Sequence, residues 1–249
     1  MAVRDRDAAR TPGAARAARL PARLCASPHI LFVGINPSLH SARVGHHFAG
    51  PGNPFYRLLH AAGLVPRAMT FEDDVRLPGL GLALTNVAER ATREAAELSA
   101  DDYARGRRRL ARTIAAVRPG VVAFVGSTAY RQFVGPSASS GPGPKPEVIG
   151  GARVFVVPNP SGRNAAFPGF RDKLVWFRRL ARWAEASAGA RASRRTGQRA
   201  GERPAAEPAR PRAEAAAPGR ARGATSRPRM SRSARPARPH GPAGSAPRR

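Results

Sequence analysis

The chain has 249 residues and a formal net charge of +27, from 43 Lys plus Arg against 16 Asp plus Glu. Its length allows one or two domains, but 25 Pro and 25 Gly exceed ordinary globular usage and favour one folded unit with basic flanks. A single cysteine, Cys25, excludes an internal disulfide and any cysteine-built zinc or iron–sulfur centre, and suits a reducing cytosol. No run approaches the ~18 apolar residues of a membrane helix, and the Arg-rich start lacks an apolar signal segment. These features predict a soluble, intracellular, cationic protein without membrane association. Arg outnumbers Lys 41 to 2, so part of the charge reflects GC-biased composition.

Residues 1–27 carry six Arg and two Asp in an Ala/Arg-rich background and read as a flexible arm. Residues 187–249 hold sixteen Arg, three Glu and no Ile, Leu, Val or aromatic residue, so they cannot bury a core and read as a disordered tail. The tail is either a non-specific tether to a polyanion or low-complexity sequence with no selected role. Residues 28–186 contain every Phe, Tyr and Trp and form the predicted domain.

Within that domain, in chain order, the apolar run Ile30-Leu31-Phe32-Val33 predicts a first strand and residues 55–62 a helix. Leu82-Ala83-Leu84 predicts a second strand. Residues 100–117 predict the best-marked helix, with Ser99 and Asp102 spaced as a capping box, Tyr103, Leu110, Ile114 and Val117 on one face, and Pro119 after its end. Val121 to Val125 reads as a third strand, 128–133 as a short helix, Val154-Phe155-Val156-Val157 as a fourth strand and 170–186 as a final helix. Continuous rather than alternating hydrophobicity marks strands covered on both faces. Strand–helix alternation then predicts a three-layer α/β/α fold with a mostly parallel central sheet.

Ligands in such folds bind outside the carboxyl ends of the strands. Each run is followed there by polar or glycine-containing sequence, which collects Asn36, Thr85, Asn86, Ser127, Asn159 and Ser161 on one neutral, hydrogen-bonding rim. The chain carries no phosphate-binding glycine motif, no Gly-x-Ser-x-Gly elbow, and no metal spacing among its six His, so nucleotide, serine-hydrolase and metal-centred chemistry lack support. Planar amides suit the edge of a nucleobase or a held water molecule. Together with the charge, this points to a base pocket on DNA.

Four separated motifs carry a resemblance. They are Gly34-Ile35-Asn36-Pro37-Ser38-Leu39; Gly45-His46-His47-Phe48-Ala49-Gly50-Pro51-Gly52-Asn53-Pro54-Phe55-Tyr56; Thr85-Asn86-Val87-Ala88-Glu89-Arg90; and Asn159-Pro160-Ser161-Gly162-Arg163 with Phe167-Pro168. In order over about residues 30–186, the sequence resembles the mismatch-specific uracil/thymine DNA glycosylase family. The Gly-His-His-Phe and Pro-Gly-Asn segments are closer to its thymine-acting branch, and Asn159-Pro160-Ser161-Gly162 to its bacterial branch.

The resemblance implies cofactor-independent, metal-free hydrolysis of the N-glycosidic bond of uracil, and of thymine if its methyl group fits, mispaired with guanine in double-stranded DNA. Asn36 would bind the attacking water and Thr85 would help to hold it. Phe48 would stack on the extruded base, with Ile35, His47 and Asn53 around its polar edge. Residues Asn159, Pro160, Ser161, Gly162, Arg163 and Asn164 would enter the duplex and meet the unpaired guanine. It further implies a monomeric, DNA-associated enzyme of the bacterial cytoplasm that hands its abasic product to downstream repair enzymes. Ser38 stands where the family usually has Gly, which would narrow or shift the pocket if that position needs φ > 0 or close approach to the sugar. The competing readings are a uracil glycosylase that also acts on single strands, a non-catalytic DNA-binding protein of the same fold, and a nucleoside hydrolase. The Arg residues at 105, 107, 108, 109 and 112 read as a solvated helix face.

Overall fold

A computed structural model describes residues 19–161 and 164–201. Most of the expected arm, the tail beyond residue 201, and Gly162 and Arg163 lie outside the described residues.

The apolar runs form the strands β1 (Ile30–Gly34), β2 (Leu82–Asn86), β3 (Val121–Val125) and β5 (Ala152–Val157). All four are parallel, in the order β2-β1-β3-β5. Every residue of β1, β2 and β3 is buried, the condition that unbroken hydrophobicity foretold. A fifth strand, β4 (Gly143–Ile149), closes the sheet beyond β5 in antiparallel sense. Sequence reading missed it because Pro144-Lys145-Pro146-Glu147 makes no apolar run. Prolines are tolerated there because β4 is an edge strand.

The helices are α1 (Leu39–Val44), α2 (Phe55–Ala61), α3 (Ala100–Val117), α4 (Ser127–Val134) and α5 (Phe170–Gly201). In α3 the expected capping box is present: Ser99 Oγ accepts from the Asp102 N–H at 3.1 Å, and Asp102 Oδ2 accepts from the Ser99 N–H at 3.0 Å. Arg118 ends it in the left-handed region, φ +50. A Cβ on Gly106 would lie 2.2 Å from Val87 O, so this glycine lets α3 close onto the chain leaving β2.

Two apolar layers sandwich the sheet. On one face Phe32, Leu84 and Phe155 pack with Phe55, Leu58, Phe177 and Leu180 of α2 and α5. On the other, Leu31, Val33, Val122 and Phe124 pack with Leu110, Ile114 and Tyr130 of α3 and α4. Arg23, expected in the arm, instead pairs with the edge strand β2, exchanging both backbone hydrogen bonds with Leu84 at 2.9 and 2.8 Å. The last helix also runs past residue 186, where the domain was expected to end.

Candidate active site

The carboxyl ends of β1, β2 and β3 and the chain leaving β5 surround a cavity of about 630 Å³, within the ~300–1,000 Å³ typical of small-molecule sites. Gly34, Ile35, Asn36, Asn86, Val125, Asn159 and Ser161 line it from the sheet, and His47, Phe48 and Asn53 from the loop between α1 and α2.

Asn36 lies just beyond β1, separated from its last residue by Ile35. Its Nδ2 donates to Pro37 O at 3.1 Å, Arg90 O at 3.0 Å and Thr92 Oγ1 at 2.7 Å, while no described residue engages Oδ1. Asn86, at the end of β2, reaches the same cavity, and a Cβ on Gly34 would lie 2.4 Å from its Oδ1 and 3.5 Å from Phe48 Cζ. Glycine at 34 thus admits both side chains.

Phe48 adopts φ +53, a left-handed conformation costly for a bulky residue. Its ring stacks on Phe55 at 4.0 Å and 21°, leaving the half-buried ring on the cavity wall. The N–H of Phe48 donates to no described residue.

The segment before it is anchored by Asp74, whose side chain is fully buried. Its Oδ1 accepts from Arg23 Nε at 3.0 Å and lies 2.9 Å from His46 Nδ1, and its Oδ2 accepts from the His47 N–H at 2.9 Å. Arg23 also donates to Gly45 O at 2.6 Å. This carboxylate therefore ties the N-terminal segment, the 3-10 helix over Phe71–Leu80 and the Phe48 loop together. The His47 ring is 2% exposed. Burial, partly opposed by its hydrogen bond to Pro21, brings its pKa down to about 4. The neutral ring places Nε2 2.9 Å from Pro21 O, an acceptor only, so Nε2 carries the proton and is committed there rather than to a ligand.

Asn53 Oδ1 accepts from the Phe55 N–H at 3.0 Å, which starts α2 and leaves the amide nitrogen for the cavity. The Ile35 carbonyl accepts from the Ala88 N–H at 2.8 Å. Ser38 has φ −69 and caps α1 by accepting from the Ser41 N–H at 3.0 Å, so this position does not require a glycine conformation. After β5, Asn159 Oδ1 accepts from the Ser161 N–H, and Asn164 Nδ2 closes the loop onto Asn159 O, each at 3.0 Å. Pro160 is buried beneath it.

Thr85 does not join this group. It is 1% exposed and absent from the cavity wall; its Oγ1 lies 3.5 Å from Arg109 Nη1 of α3. Side chains alternate along a strand, so Asn86 faces the cavity while Thr85 faces the helix layer behind. Arg109 also departs from the expected solvated face. It is half-buried, donates to Asn86 O at 2.5 Å, and pairs with Glu89 through Nε at 3.2 Å, close enough for an ion pair though outside hydrogen-bond geometry. Arg105, Arg107, Arg108 and Arg112 are exposed as expected. Sequence reading missed Thr92, Arg93 and Glu94 on the cavity wall, since no motif marks them. Among the described residues no three His, Cys, Asp or Glu side chains gather to hold a metal ion, and no helix is long and apolar enough to cross a membrane.

The chain is similar to the solution NMR structure of a proposed uracil DNA glycosylase from Methanosarcina acetivorans, at 22% identity over 66% of this chain and 97% of that one, with a TM-score of 0.44. The sequence profile of the uracil DNA glycosylase superfamily matches residues 21–181. That span takes in all five strands and every described residue on the cavity wall except Leu20. The chain therefore belongs to the uracil DNA glycosylase superfamily.

Proposed function

We propose that the protein is a monofunctional DNA glycosylase that hydrolyses the N-glycosidic bond of uracil mispaired with guanine in duplex DNA. The observation that carries this reading is the meeting of Asn36, Phe48, Asn159 and Ser161 on one cavity at the carboxyl end of the sheet. A paired base must leave the stack before its sugar carbon is reached, at a cost of a few kcal/mol that is smaller for a mismatch. Phe48 takes the extruded ring on its open face. The N–H of Phe48 and the Asn53 amide supply donors for the pyrimidine oxygens, where negative charge develops as the bond breaks. One well-placed donor of this kind contributes ~3–4 kcal/mol.

Asn36 holds the attacking water through its amide. A neutral amide does not take the water's proton, so the rate depends on the leaving group and turnover is slow. Both lysines are engaged away from the cavity: Lys145 donates to Ser140 O at 3.1 Å, and buried Lys173 to Pro168 O at 3.1 Å. This supports hydrolysis without a Schiff-base step. The loop of residues 159–164 fills the vacated stack and meets the guanine. The protein acts as a monomer, associated with DNA in the bacterial cytoplasm, and its abasic product passes to repair enzymes that process such sites.

The test is alkaline strand scission of G·U, G·T, A·U and single-stranded uracil oligonucleotides, with Asn36→Ala as control. Scission of G·U, reduced at least about a hundredfold in the variant, is expected. No scission of any substrate, or equal scission by the variant, overturns the enzyme reading; equal rates on A·U and single strands overturn the mismatch reading alone.

A further inference from the structure

An amide side chain has an acceptor at one end and two donors at the other in nearly the same shape, so its neighbours decide which end faces a ligand. Around Asn36 two neighbours, Pro37 O and Arg90 O, are carbonyls and only accept. Thr92 could in principle donate or accept. Its Oγ1, however, lies 2.6 Å from Glu94 O, a carbonyl that takes the hydroxyl's single proton. Only lone pairs are left to face Asn36, 2.7 Å away. Turning the amide over would set Oδ1 against three acceptors with no proton between them. Thr92 is 3% exposed and its N–H donates to Pro37 O at 3.2 Å, so its position on the Asn36 loop is itself held.

We propose that Thr92 is a positioning residue for hydrolysis. With its proton committed to Glu94 O, its hydroxyl is the nearest acceptor of Asn36 Nδ2, at 2.7 Å, and together with the two carbonyls holds the amide with Oδ1 toward the cavity. The attacking water then donates to the amide and never accepts from it. A water that donates to Oδ1 keeps both lone pairs and gains electron density on its oxygen for attack on the sugar carbon, whereas one that accepts from Nδ2 commits one of its two lone pairs to the protein and is the weaker nucleophile. This inference rests on the reading of Asn36 as the water-binding group.

The test uses the full chain under single-turnover conditions on a G·U duplex, with Thr92→Val, Thr92→Ser and Asn36→Ala, and Thr92→Val combined with Asn36→Ala. Misorienting a reactant costs ten- to a hundredfold, so Thr92→Val is expected to slow cleavage at least about tenfold while duplex Kd stays within about threefold. Thr92→Ser restores the rate to within about threefold, and Thr92→Val slows the Asn36→Ala protein by less than about twofold. Thr92→Ala replaces the valine variant if melting shows that variant unfolded. Wild-type cleavage by Thr92→Val, no rescue by serine, or the same loss in the Asn36→Ala background overturns the proposal while leaving Asn36 in place. If the Asn36→Ala protein is too slow to follow, the valine and serine rates decide. Wild-type cleavage by Asn36→Ala itself removes the water-binding reading, and this inference with it.

Discussion

Phe48 combines a strained backbone with an exposed ring face, which separates its contribution to stability from the base-stacking role proposed for it. Removing the ring with Phe48→Ala loses half-buried apolar area worth about 1 kcal/mol and a stacked contact with Phe55 at 4.0 Å worth about 1 kcal/mol more. The alanine keeps φ +53 and with it a left-handed penalty of ~1–2 kcal/mol. Phe48→Gly loses the same ring but escapes that penalty, while its greater freedom in the unfolded chain costs ~0.5–1 kcal/mol. Glycine should therefore be the more stable variant by about 0.5–1 kcal/mol. In a unit of 150–250 residues, 1 kcal/mol moves Tm by about 2–4 °C. The alanine variant should melt about 6 °C below wild type, and glycine should recover about 2 °C of this. On the proposed function both lose a stacking surface for the extruded base, worth ~1–3 kcal/mol, so single-turnover cleavage of a G·U duplex should fall about tenfold or more in each. Calorimetry and cleavage are measured on the same preparations. A glycine variant no more stable than alanine shows that the loop relaxes without strain. An alanine variant that cleaves at the wild-type rate refutes Phe48 as the base platform.

The buried His47 ring makes stability depend on pH. The unfolded chain protonates this imidazole below pH ~6.5, whereas the folded chain resists until pH about 4, so its contribution is complete above pH ~6.5 and is lost between ~6.5 and ~4, about 3 kcal/mol in all. Urea midpoints near pH 7.5 and pH 4.5 should converge markedly in His47→Gln; an unchanged difference would place the titration elsewhere. Asp74→Asn leaves one acceptor for donors from Arg23, His46 and the His47 backbone, and should destabilise the protein by about 3 kcal/mol and raise KM for the G·U duplex as the Phe48 loop loosens. A urea-derived loss below about 1 kcal/mol with unchanged KM would show that the carboxylate does not hold that loop.

Local pattern sufficed wherever the chain's own neighbours decide the outcome. Unbroken apolar runs of three to five residues suit a strand covered on both faces, so β1, β2, β3 and β5 were readable, as was α3 from its capping box and apolar stripe. Asn36 could be placed at a strand's carboxyl end for the same reason. What a local pattern could not rank were chemically equal neighbours. Thr85 and Asn86 are adjacent and both polar, but strand alternation sends one to α3 and the other to the cavity, and the cavity is completed by the loop between α1 and α2, far from both in sequence. Glu72, Asp73 and Asp74 look alike in sequence, yet only Asp74 is buried against Arg23 and His46. Arg109 differs from Arg107 and Arg108 only because α3 turns it under Asn86. Thr92 carries no motif at all; it matters because the chain folds back to set it against a residue 56 positions earlier. The sequence by itself thus determined the layers, the four parallel strands and the rim at their carboxyl ends. Tertiary structure decided which of several similar side chains reaches the cavity or is buried beside it, because burial and pairing are set by distant segments and leave no trace in the residues beside them.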